Sequence, residues 1–219
     1  MATIMSAKEA VSKIPNGSTL HVGGFYAQGT PENIIDEILK QGIRDLTIIT
    51  NDTGTPTEGT GKLVGAGRVK KLICSYVGLT PVVPELVDKG ALELELVPQG
   101  TLAERIRCAG YGLGGVLTPT GLGTHLEEKK QVLELNGKRW MYDTPLKADF
   151  AILEASVADK AGNLIFRRTQ RNFNVVMASA AETVIALVVE PIVEMGAMEP
   201  DHVMVPGVLV DMLVRKELN

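Results

Sequence analysis

An α/β fold built around a mostly parallel sheet is predicted by three features of this sequence. Short apolar runs alternate with segments whose apolar residues recur at helical spacing. Most glycines stand just after the predicted strands. The 219 residues are 45% hydrophobic and 22% charged, which is enough to bury one sizeable core. We therefore expect a single domain over residues 1–219, with helices covering both faces of the sheet.

The predicted strands form two groups along the chain. The first group has four members: Thr19–Val22, Leu46–Thr50, Val69–Tyr76 and Leu92–Val97. The second group has two members, near Phe150–Ala155 and Thr183–Val189, with a helix near Val175–Ala181 between them. Strands that alternate with helices in this way are typical of parallel sheets.

Three helices are expected among the first strands. In the first helix, Thr30 is a candidate cap, Pro31 suits the first helical position and Gly42 ends the helix. One face of it carries four apolar residues: Ile34, Ile35, Ile38 and Leu39. The other two helices fit Pro84–Lys89 and Leu102–Ala109.

A β-hairpin interrupts this rhythm around residues 131–142. Two apolar runs, Gln131–Leu135 and Lys138–Tyr142, flank Asn136–Gly137, which is a strong two-residue turn signal. We expect a small antiparallel ribbon added to the main sheet.

Composition excludes several classes of function. The net charge is −4, and the basic pairs Lys70–Lys71 and Arg167–Arg168 are isolated, which argues against nucleic acid as a partner. The two cysteines are far apart and form no C-x-x-C motif, so reduced thiols are expected. No apolar run approaches the ~18 residues of a membrane span, and residues 1–11 lack a signal-peptide core. These features favour a cytoplasmic protein that has no membrane partner.

The three histidines, His21, His125 and His202, show no metal-binding spacing, so no metal site is predicted. His21 stands inside a predicted strand, where a hydrogen-bonded core histidine is the expected role.

Candidate ligand-binding residues follow the predicted strands, because the carboxyl edge of a parallel sheet is where ligands bind. Gly23–Gly24–Phe25 would let the backbone approach a ligand, or would simply form a tight turn. Asn51–Asp52 suits an Asx turn as well as a site. Gln99, in a predicted turn after the strand Leu92–Val97, could donate its amide to a developing oxyanion, or could be an ordinary turn residue.

The glycines from Gly110 to Gly115 match G-x-G-x-x-G by letter. That fingerprint requires a strand before it and a helix after it, and neither is predicted here. We therefore expect no NAD site, and favour a substrate-covering loop over a plain connector.

One stretch carries a more specific signal. Residues 16–25, Asn-Gly-Ser-Thr-Leu-His-Val-Gly-Gly-Phe, with Gly29-Thr30-Pro31, closely resemble the signature of family I CoA-transferase α subunits. That signature has Asp or Asn before Gly, three apolar residues before Gly-Gly-Phe, and then Gly-x-Pro. The one departure is His21, at the middle apolar position. The resemblance extends over nearly the whole chain through further segments: residues 45–53, 98–107, 112–115, 117–124, 162–163 and 171–174.

The resemblance implies the α subunit of a two-subunit enzyme that moves CoA between an acyl-CoA and a carboxylate. Its nucleophile would be a glutamate in a Ser-Glu-Asn-Gly motif on the β subunit, which this chain lacks; Glu134-Leu-Asn-Gly137 belongs to the hairpin. An α2β2 assembly is implied, with CoA as a substrate and no permanently bound cofactor. Within this family, the most similar members are acetate/butyrate–acetoacetate CoA-transferases, followed by 3-oxoacid and 3-oxoadipate enzymes.

The resemblance also assigns roles to individual residues. Gln99 matches an oxyanion donor, and the matching substrate-binding positions are Gly23, Gly24, Phe25, Gly29, Asn51, Gly100, Gly112, Gly114, Gly115 and Thr118. Of these, Gly23–Phe25 match the lining of the acyl pocket, and the last four match a loop at the mouth of the active site. Three alternatives remain open: a ligand-sensing domain of similar fold, a CoA-hydrolase, and a glutaconate-type transferase subunit.

Overall fold

A computed structural model describes residues 1–216 of the chain. Its strands are β1 (Thr3–Met5), β2 (Thr19–Val22), β3 (Leu46–Ile49), β4 (Val69–Cys74), β5 (Glu93–Leu96), β6 (Val116–Thr118), β7 (Val132–Leu135), β8 (Lys138–Asp143), β9 (Ala148–Ala155), β10 (Val157–Ala158), β11 (Leu164–Ile165), β12 (Ala181–Val188) and β13 (Met212–Arg215). Its α-helices are α1 (Ala7–Val11), α2 (Glu32–Gln41), α3 (Gly61–Gly65), α4 (Val82–Asp88), α5 (Gln99–Gly110) and α6 (Asn174–Met177). No helix within this range is long and apolar enough to cross a membrane.

Eight strands form one sheet in the order β1-β13-β12-β9-β2-β3-β4-β5, and every neighbouring pair in it is parallel. Side chains alternate between its two faces, as the pleat requires. Ala151 and Leu153 of β9 pack in a core with α5 and α6, whereas Ile152 packs in a second core with α2, α3 and α4. The predicted parallel sheet with helices on both faces is confirmed.

The sheet reverses its direction of growth between β2 and β9. From β2 the chain adds β3, β4 and β5 on one side, and from β9 it adds β12 and β13 on the other. The carboxyl ends of strands that diverge in this way leave a crevice, which is the usual ligand site of an open α/β sheet.

Several local predictions need correction. The hairpin turns at Asn136 and Gly137, both with positive φ, as expected of this turn type. However, its strands join β6 in a separate three-stranded sheet instead of extending the main one. The helix expected near Val175–Ala181 is only Asn174–Met177, because β12 already begins at Ala181.

The ends of the first helices also differ from expectation. Pro31 occupies the cap position of α2, and Thr30 makes no capping bond there, whereas Gly42 ends the helix with φ 73° as predicted. The sequence pattern did not indicate β1 and β13, which pair with each other at one edge of the sheet.

Candidate active site

A cavity of about 280 Å³ lies at the carboxyl edge of the sheet, beside the reversal point. It will be called the Gln99 cavity, and it is lined by Phe25, Gln99, Gly100, Ala103, Asn172, Phe173 and Val176. These residues come from the loop after β2, the first turns of α5, and the segment around the start of α6. Three elements that are distant in sequence therefore form one site.

Gln99 is the first residue of α5, not part of a turn as the sequence suggested. The helix begins there because Pro98 has extended backbone angles and its carbonyl accepts the first helical hydrogen bond, from Leu102. The Gln99 side chain is exposed at the rim of the cavity, and its Nε2 donates to Asn51 Oδ1 at 2.7 Å. One of the two amide hydrogens is thereby engaged, and the other is available to a ligand.

Asn51 is buried directly behind Gln99, at the end of β3. Its Oδ1 also accepts from Ser75 Oγ at 3.0 Å, and its Nδ2 donates to Asp52 Oδ2 at 2.6 Å. The side chain is thus held on both sides, so it can orient the Gln99 amide. Asp52 Oδ1 accepts a hydrogen bond from Gly54 N at 2.7 Å, which forms the predicted Asx turn. This turn directly follows the candidate site residue Asn51.

The first turn of α5 adds a second set of donors. Pro98 provides no side-chain cap, so the N–H groups of Gln99, Gly100 and Thr101 precede the first helical hydrogen bond. The N-terminus of a helix carries a partial positive charge. Gly100 is exposed and has open space where a Cβ would stand, so a ligand can approach this backbone closely.

Gly23 leaves room for the side chain of Asn174. A Cβ at Gly23 would stand 1.8 Å from Asn174 Oδ1. That same oxygen accepts from Glu154 N at 3.1 Å, while Nδ2 donates to Gly29 O at 2.9 Å. Asn174 is fully buried, and its two hydrogen bonds join the loop after β2 to the end of β9 across the reversal point.

The loop that carries Phe25 is a tight turn. Phe25 and Gln28 exchange backbone hydrogen bonds, and the two residues between them, Tyr26 and Ala27, both have positive φ. Residues other than glycine rarely adopt that backbone conformation. Asp52 Oδ2 accepts from Tyr26 N at 2.8 Å, which helps to hold the turn. Phe25 consequently remains 48% exposed above the cavity.

Of the eleven predicted site residues, Phe25, Gln99 and Gly100 line the Gln99 cavity, and the other eight do not. Gly23, Gly24, Gly29 and Asn51 neighbour its lining residues, whereas four lie elsewhere in this chain. Gly112, Gly114, Gly115 and Thr118 follow the carboxyl end of α5, and the twelve residues of that helix span about 18 Å. None of the four lines the Gln99 cavity. As expected, the glycine string follows a helix and does not open another one; the strand β6, which the sequence pattern did not indicate, comes next.

The sequence prediction missed the residues contributed by the segment before α6. Asn172 Oδ1 accepts from Gly24 N at 3.2 Å, and Phe173 and Val176 form an apolar wall of the cavity. Arg171–Asn174 contributed to the family resemblance, and an asparagine just before a helix, such as Asn172 before α6, is a capping signal. Neither observation identified their contact with Gly24.

His21 lies fully buried in β2, with Nε2 3.1 Å from the carbonyl oxygen of Leu146. Nδ1 makes no hydrogen bond of acceptable geometry within the described residues. Burial lowers the pKa of this imidazole to about 4, although the carbonyls of Leu146 and Ala180 oppose the shift. His21 is therefore neutral at pH 7 and forms part of the core, as expected.

No group of three or more His, Cys, Asp or Glu side chains among residues 1–216 is arranged to hold a metal ion. Both cysteines are buried with free thiols. Burial raises the pKa of the Cys74 thiol to about 12, so Cys74 is not a ready nucleophile.

Comparison with known proteins agrees with this architecture. Residues 4–216 match the family described as Coenzyme A transferase. The acetoacetyl-CoA:acetate/butyrate CoA transferase alpha subunit of Clostridium acetobutylicum is 46% identical over 201 residues, covering 92% of each chain. A 3-oxoadipate CoA-transferase subunit of Pseudomonas putida is 44% identical over 214 residues, covering 97% of this chain and 92% of its own.

A solved acyl-CoA transferase of Escherichia coli O157:H7 shares the fold, with a TM-score of 0.88 at 24% identity. The match covers 98% of this chain and 47% of that one. With the sequence similarity extending over almost the full length, the chain belongs to the coenzyme A transferase family.

Proposed function

We propose that this chain is the α subunit of a two-subunit CoA-transferase that exchanges CoA between a short acyl-CoA and a free monocarboxylate. The observation that carries the proposal is the Gln99 cavity, where an oriented amide and a helix N-terminus face an apolar pocket. Amide and backbone donors aimed at a developing oxyanion are the main requirement of acyl transfer.

The nucleophile is assigned to a β subunit, because the buried carboxylates near the cavity are already engaged. Asp52 accepts hydrogen bonds from Tyr26 N, Gly54 N and Asn51 Nδ2. Glu154 accepts from Gln170 Nε2 and is paired with Lys216 Nζ, both at 2.9 Å. Neither carboxylate lines the cavity, which agrees with the family resemblance, by which the nucleophile is a glutamate of the β subunit.

In the proposed reaction, that glutamate attacks the acyl-CoA carbonyl and expels the CoA thiolate, leaving a mixed anhydride. The thiolate then attacks the glutamyl carbonyl, which releases the first carboxylate and forms a glutamyl-CoA thioester. A second carboxylate reverses the sequence. Each attack places negative charge on a carbonyl oxygen, and Gln99 together with the first turn of α5 stabilises that charge.

The lining of the cavity favours monocarboxylic substrates such as acetate, butyrate and acetoacetate. It contains aromatic, aliphatic and amide side chains, and no Lys or Arg. The second carboxylate of a 3-oxoadipyl or succinyl group would lose its hydration there without a compensating cation. A 3-oxoadipate or 3-oxoacid transferase is the alternative, and relatives of both kinds show similar identity to this chain.

Exposed apolar side chains around the cavity mark where the β subunit would dock. Phe25 is 48% exposed, Tyr76 is 52% exposed and Leu96 is 48% exposed, and each follows or ends a strand at the carboxyl edge. Stable heteromeric interfaces bury large areas of this kind, about 2,000 Å² or more. We expect an α2β2 assembly.

The test is reconstitution. The purified α chain should show no CoA transfer by itself, and adding the β subunit should give transfer from acetyl-CoA or butyryl-CoA to acetoacetate or acetate. Succinyl-CoA and 3-oxoadipate should be poor substrates of the same complex. Transfer by the purified α chain alone would refute the assignment of the nucleophile, and efficient use of 3-oxoadipate would refute the monocarboxylate preference.

A further inference from the structure

A buried carboxylate lies close to the Gln99 cavity without lining it. Asp52 is 8% exposed, and the space left beside it measures about 10 Å³, too small for a substrate. Its hydrogen-bond donors are neutral N–H groups of Tyr26, Gly54 and Asn51, and it has no cationic partner among residues 1–216. Burying a carboxylate without a cation is unfavourable, so its two oxygens must serve the arrangement around it.

The two oxygens of Asp52 accept from different sides. Oδ1 accepts from Gly54 N at 2.7 Å. Oδ2 accepts from Tyr26 N at 2.8 Å and from Asn51 Nδ2 at 2.6 Å. An asparagine has a single side-chain oxygen and could satisfy only one of these sides. A carboxylate is therefore the side chain that forms the Asx turn and also receives the second set of donors.

The Oδ2 atom of Asp52 fixes the direction of the Asn51 amide. A carboxylate that already faces backbone N–H groups can only accept, so Asn51 must turn its NH2 group toward Asp52. Asn51 Oδ1 then points the other way, toward Gln99. Ser75 donates to Asn51 Oδ1 at 3.0 Å and to Asn51 O at 2.8 Å. A hydroxyl both donates and accepts, so Ser75 would tolerate either direction of this amide.

The direction of Asn51 determines in turn which end of the Gln99 amide faces the cavity. Asn51 Oδ1 can only accept, so Gln99 must present Nε2 to it, at 2.7 Å. The second hydrogen of Nε2 is then available at the rim of the cavity, as an oxyanion donor requires. If the Asn51 amide were reversed, Gln99 would turn its oxygen inward and the hydrogen would leave that position.

The same Asp52 oxygen also holds the turn that carries Phe25. Tyr26 N donates to it, within a turn where Tyr26 and Ala27 both have positive φ. Phe25 lines the Gln99 cavity. One oxygen atom thereby connects the apolar wall of the cavity with its polar donor.

We propose that Asp52 is a positioning residue, whose Oδ2 fixes through Asn51 which end of the Gln99 amide faces the substrate and holds the Phe25 turn beside it. The inference rests on the proposed transferase function, because the donated hydrogen serves the oxyanion of acyl transfer. Asp52 itself does not contact the substrate.

A double-mutant cycle tests whether Asp52 acts through Gln99. Asp52→Ala, Gln99→Ala and the double variant are assayed in the reconstituted α/β complex. Asp52→Ala should lower kcat by about tenfold or more, approaching the loss caused by Gln99→Ala. In the Gln99→Ala background, Asp52→Ala should lower kcat by less than about twofold, because no amide remains to be oriented.

Two further variants separate positioning from a general loss of structure. Asp52→Asn keeps one oxygen, which satisfies more donors at the place of Oδ2 than at that of Oδ1. Its kcat should stay within about threefold of the wild type, although the Asx turn is lost. Asp149→Ala is the matched control, because Asp149 Oδ2 also accepts a backbone N–H, from Thr19 at 2.7 Å, at the opposite edge of the sheet. It should keep the wild-type kcat.

Hydrogen exchange of the Gln99 side-chain amide provides a measurement that needs no activity. The signal is followed by NMR in the α chain and assigned by its absence in Gln99→Ala. One Nε2 hydrogen should be protected in the wild type by its bond to Asn51. Asp52→Ala should accelerate the exchange of that hydrogen by about tenfold or more.

Equal fold losses of kcat from Asp52→Ala with and without Gln99 would overturn the proposal, as would an unchanged kcat or unchanged amide exchange. If Asp52→Ala does not fold or does not bind the β subunit, Asn51→Ala replaces it in the cycle and leaves the Asx turn in place. Equal losses in both backgrounds, or none, would again overturn the proposal. A complex that transfers nothing, but whose Gln99 amide is protected only when Asp52 is present, would refute the transferase function and leave the positioning role standing.

Discussion

The two ends of α5 place their glycines in different surroundings. At the amino end, Gln99 is tied to the buried Asn51, and Gly100 opens the backbone to a cavity. At the carboxyl end, Gly112 and Gly114 are exposed, and open space surrounds the position of a Cβ at each. The first end is the proposed ligand site, and the second leads into the three-stranded sheet of β6, β7 and β8.

Contacts in the middle of α5 hold the helix against the main sheet. Arg105 is buried; its Nε donates to Thr144 O at 2.8 Å and its Nη1 contacts Glu95 Oε1 at 2.6 Å. The Arg105 carbonyl also accepts from Leu146 N. Because the helix is clamped to the sheet, a substrate that touches both ends must reach across about 18 Å. Substitutions at the two ends should therefore have separable effects.

The largest effect is expected from Gln99→Ala in the reconstituted complex. Loss of one oxyanion donor typically lowers kcat by ~10²–10³, or about 2.7–4 kcal/mol. Because Gln99 is exposed, the melting temperature should stay close to that of the wild type. Gln131→Ala, at an exposed glutamine in the loop before β7, is the matched control and should keep full turnover. A Gln99→Ala complex that melts normally and keeps half its turnover would remove Gln99 from the active site.

Local sequence patterns predicted the strands of the amino half well. β2 was predicted to the residue, and Gly42 was correctly placed as the end of α2. Apolar runs and glycine at a helix end act over a few neighbouring residues, so a single sequence contains the signal.

Contacts between distant segments could not be predicted in the same way. Asn174 and Gly29 are 145 residues apart, yet one hydrogen bond joins them in the core. Gln99 was assigned by resemblance, and only the structure shows that a helix and Asn51 hold its amide. The glycines after α5 matched the family equally well, but their distance from Gln99 depends on the length and position of the helix.

A smaller effect is expected from acidification, which tests the clamp in the middle of α5. His21 has a native pKa of about 4, lowered by burial from an ordinary value of 6.5. Between these values the unfolded chain binds more protons than the native one. The contribution of neutral His21 to the free energy of unfolding should therefore be fully present above pH 6.5 and decline as the pH falls towards 4. The expected loss is on the order of 3 kcal/mol. The Leu146 carbonyl contacts His21, and the Leu146 N–H donates a hydrogen bond to the Arg105 carbonyl of α5. Protonation of His21 should therefore weaken the attachment of α5 to the sheet.

Urea unfolding at several pH values measures this dependence. His21→Leu should remove most of the decline between pH 6.5 and 4, whereas His125→Gln, at an exposed histidine, should leave it unchanged. Parallel curves for the wild type and His21→Leu would show that other groups cause the acid sensitivity.

A comparable or smaller loss of stability is expected when a methyl group is added at Gly23, a tightly packed position directly after β2. Gly23→Ala would place its Cβ 1.8 Å from Asn174 Oδ1, and overpacking of this kind usually costs ~1–3 kcal/mol. The control Gly65→Ala lies in α3 with open space around its Cβ position, so it should be neutral or stabilise by roughly 0.5–1 kcal/mol. Adding Asn174→Ala to Gly23→Ala should partly relieve the clash. A Gly23→Ala chain as stable as the wild type would show that Asn174 moves freely.

The smallest effect is expected at the carboxyl end of α5, from Gly114→Ala. Gly114 has an ordinary negative φ and open space around it, whereas Gly112 has φ 67°, so an alanine is accommodated only at the former. Stability should change by less than about 0.5 kcal/mol. If this loop borders the mouth of the active site in the complex, as proposed from the family resemblance, the added methyl should raise KM for the acyl-CoA by about threefold and leave kcat unchanged. Steady-state kinetics of the reconstituted variant decide the point. Identical kinetic constants for Gly114→Ala and the wild type would show that only the amino end of α5 meets the substrate, and that the glycines beyond its carboxyl end serve to join the helix to the three-stranded sheet of β6, β7 and β8.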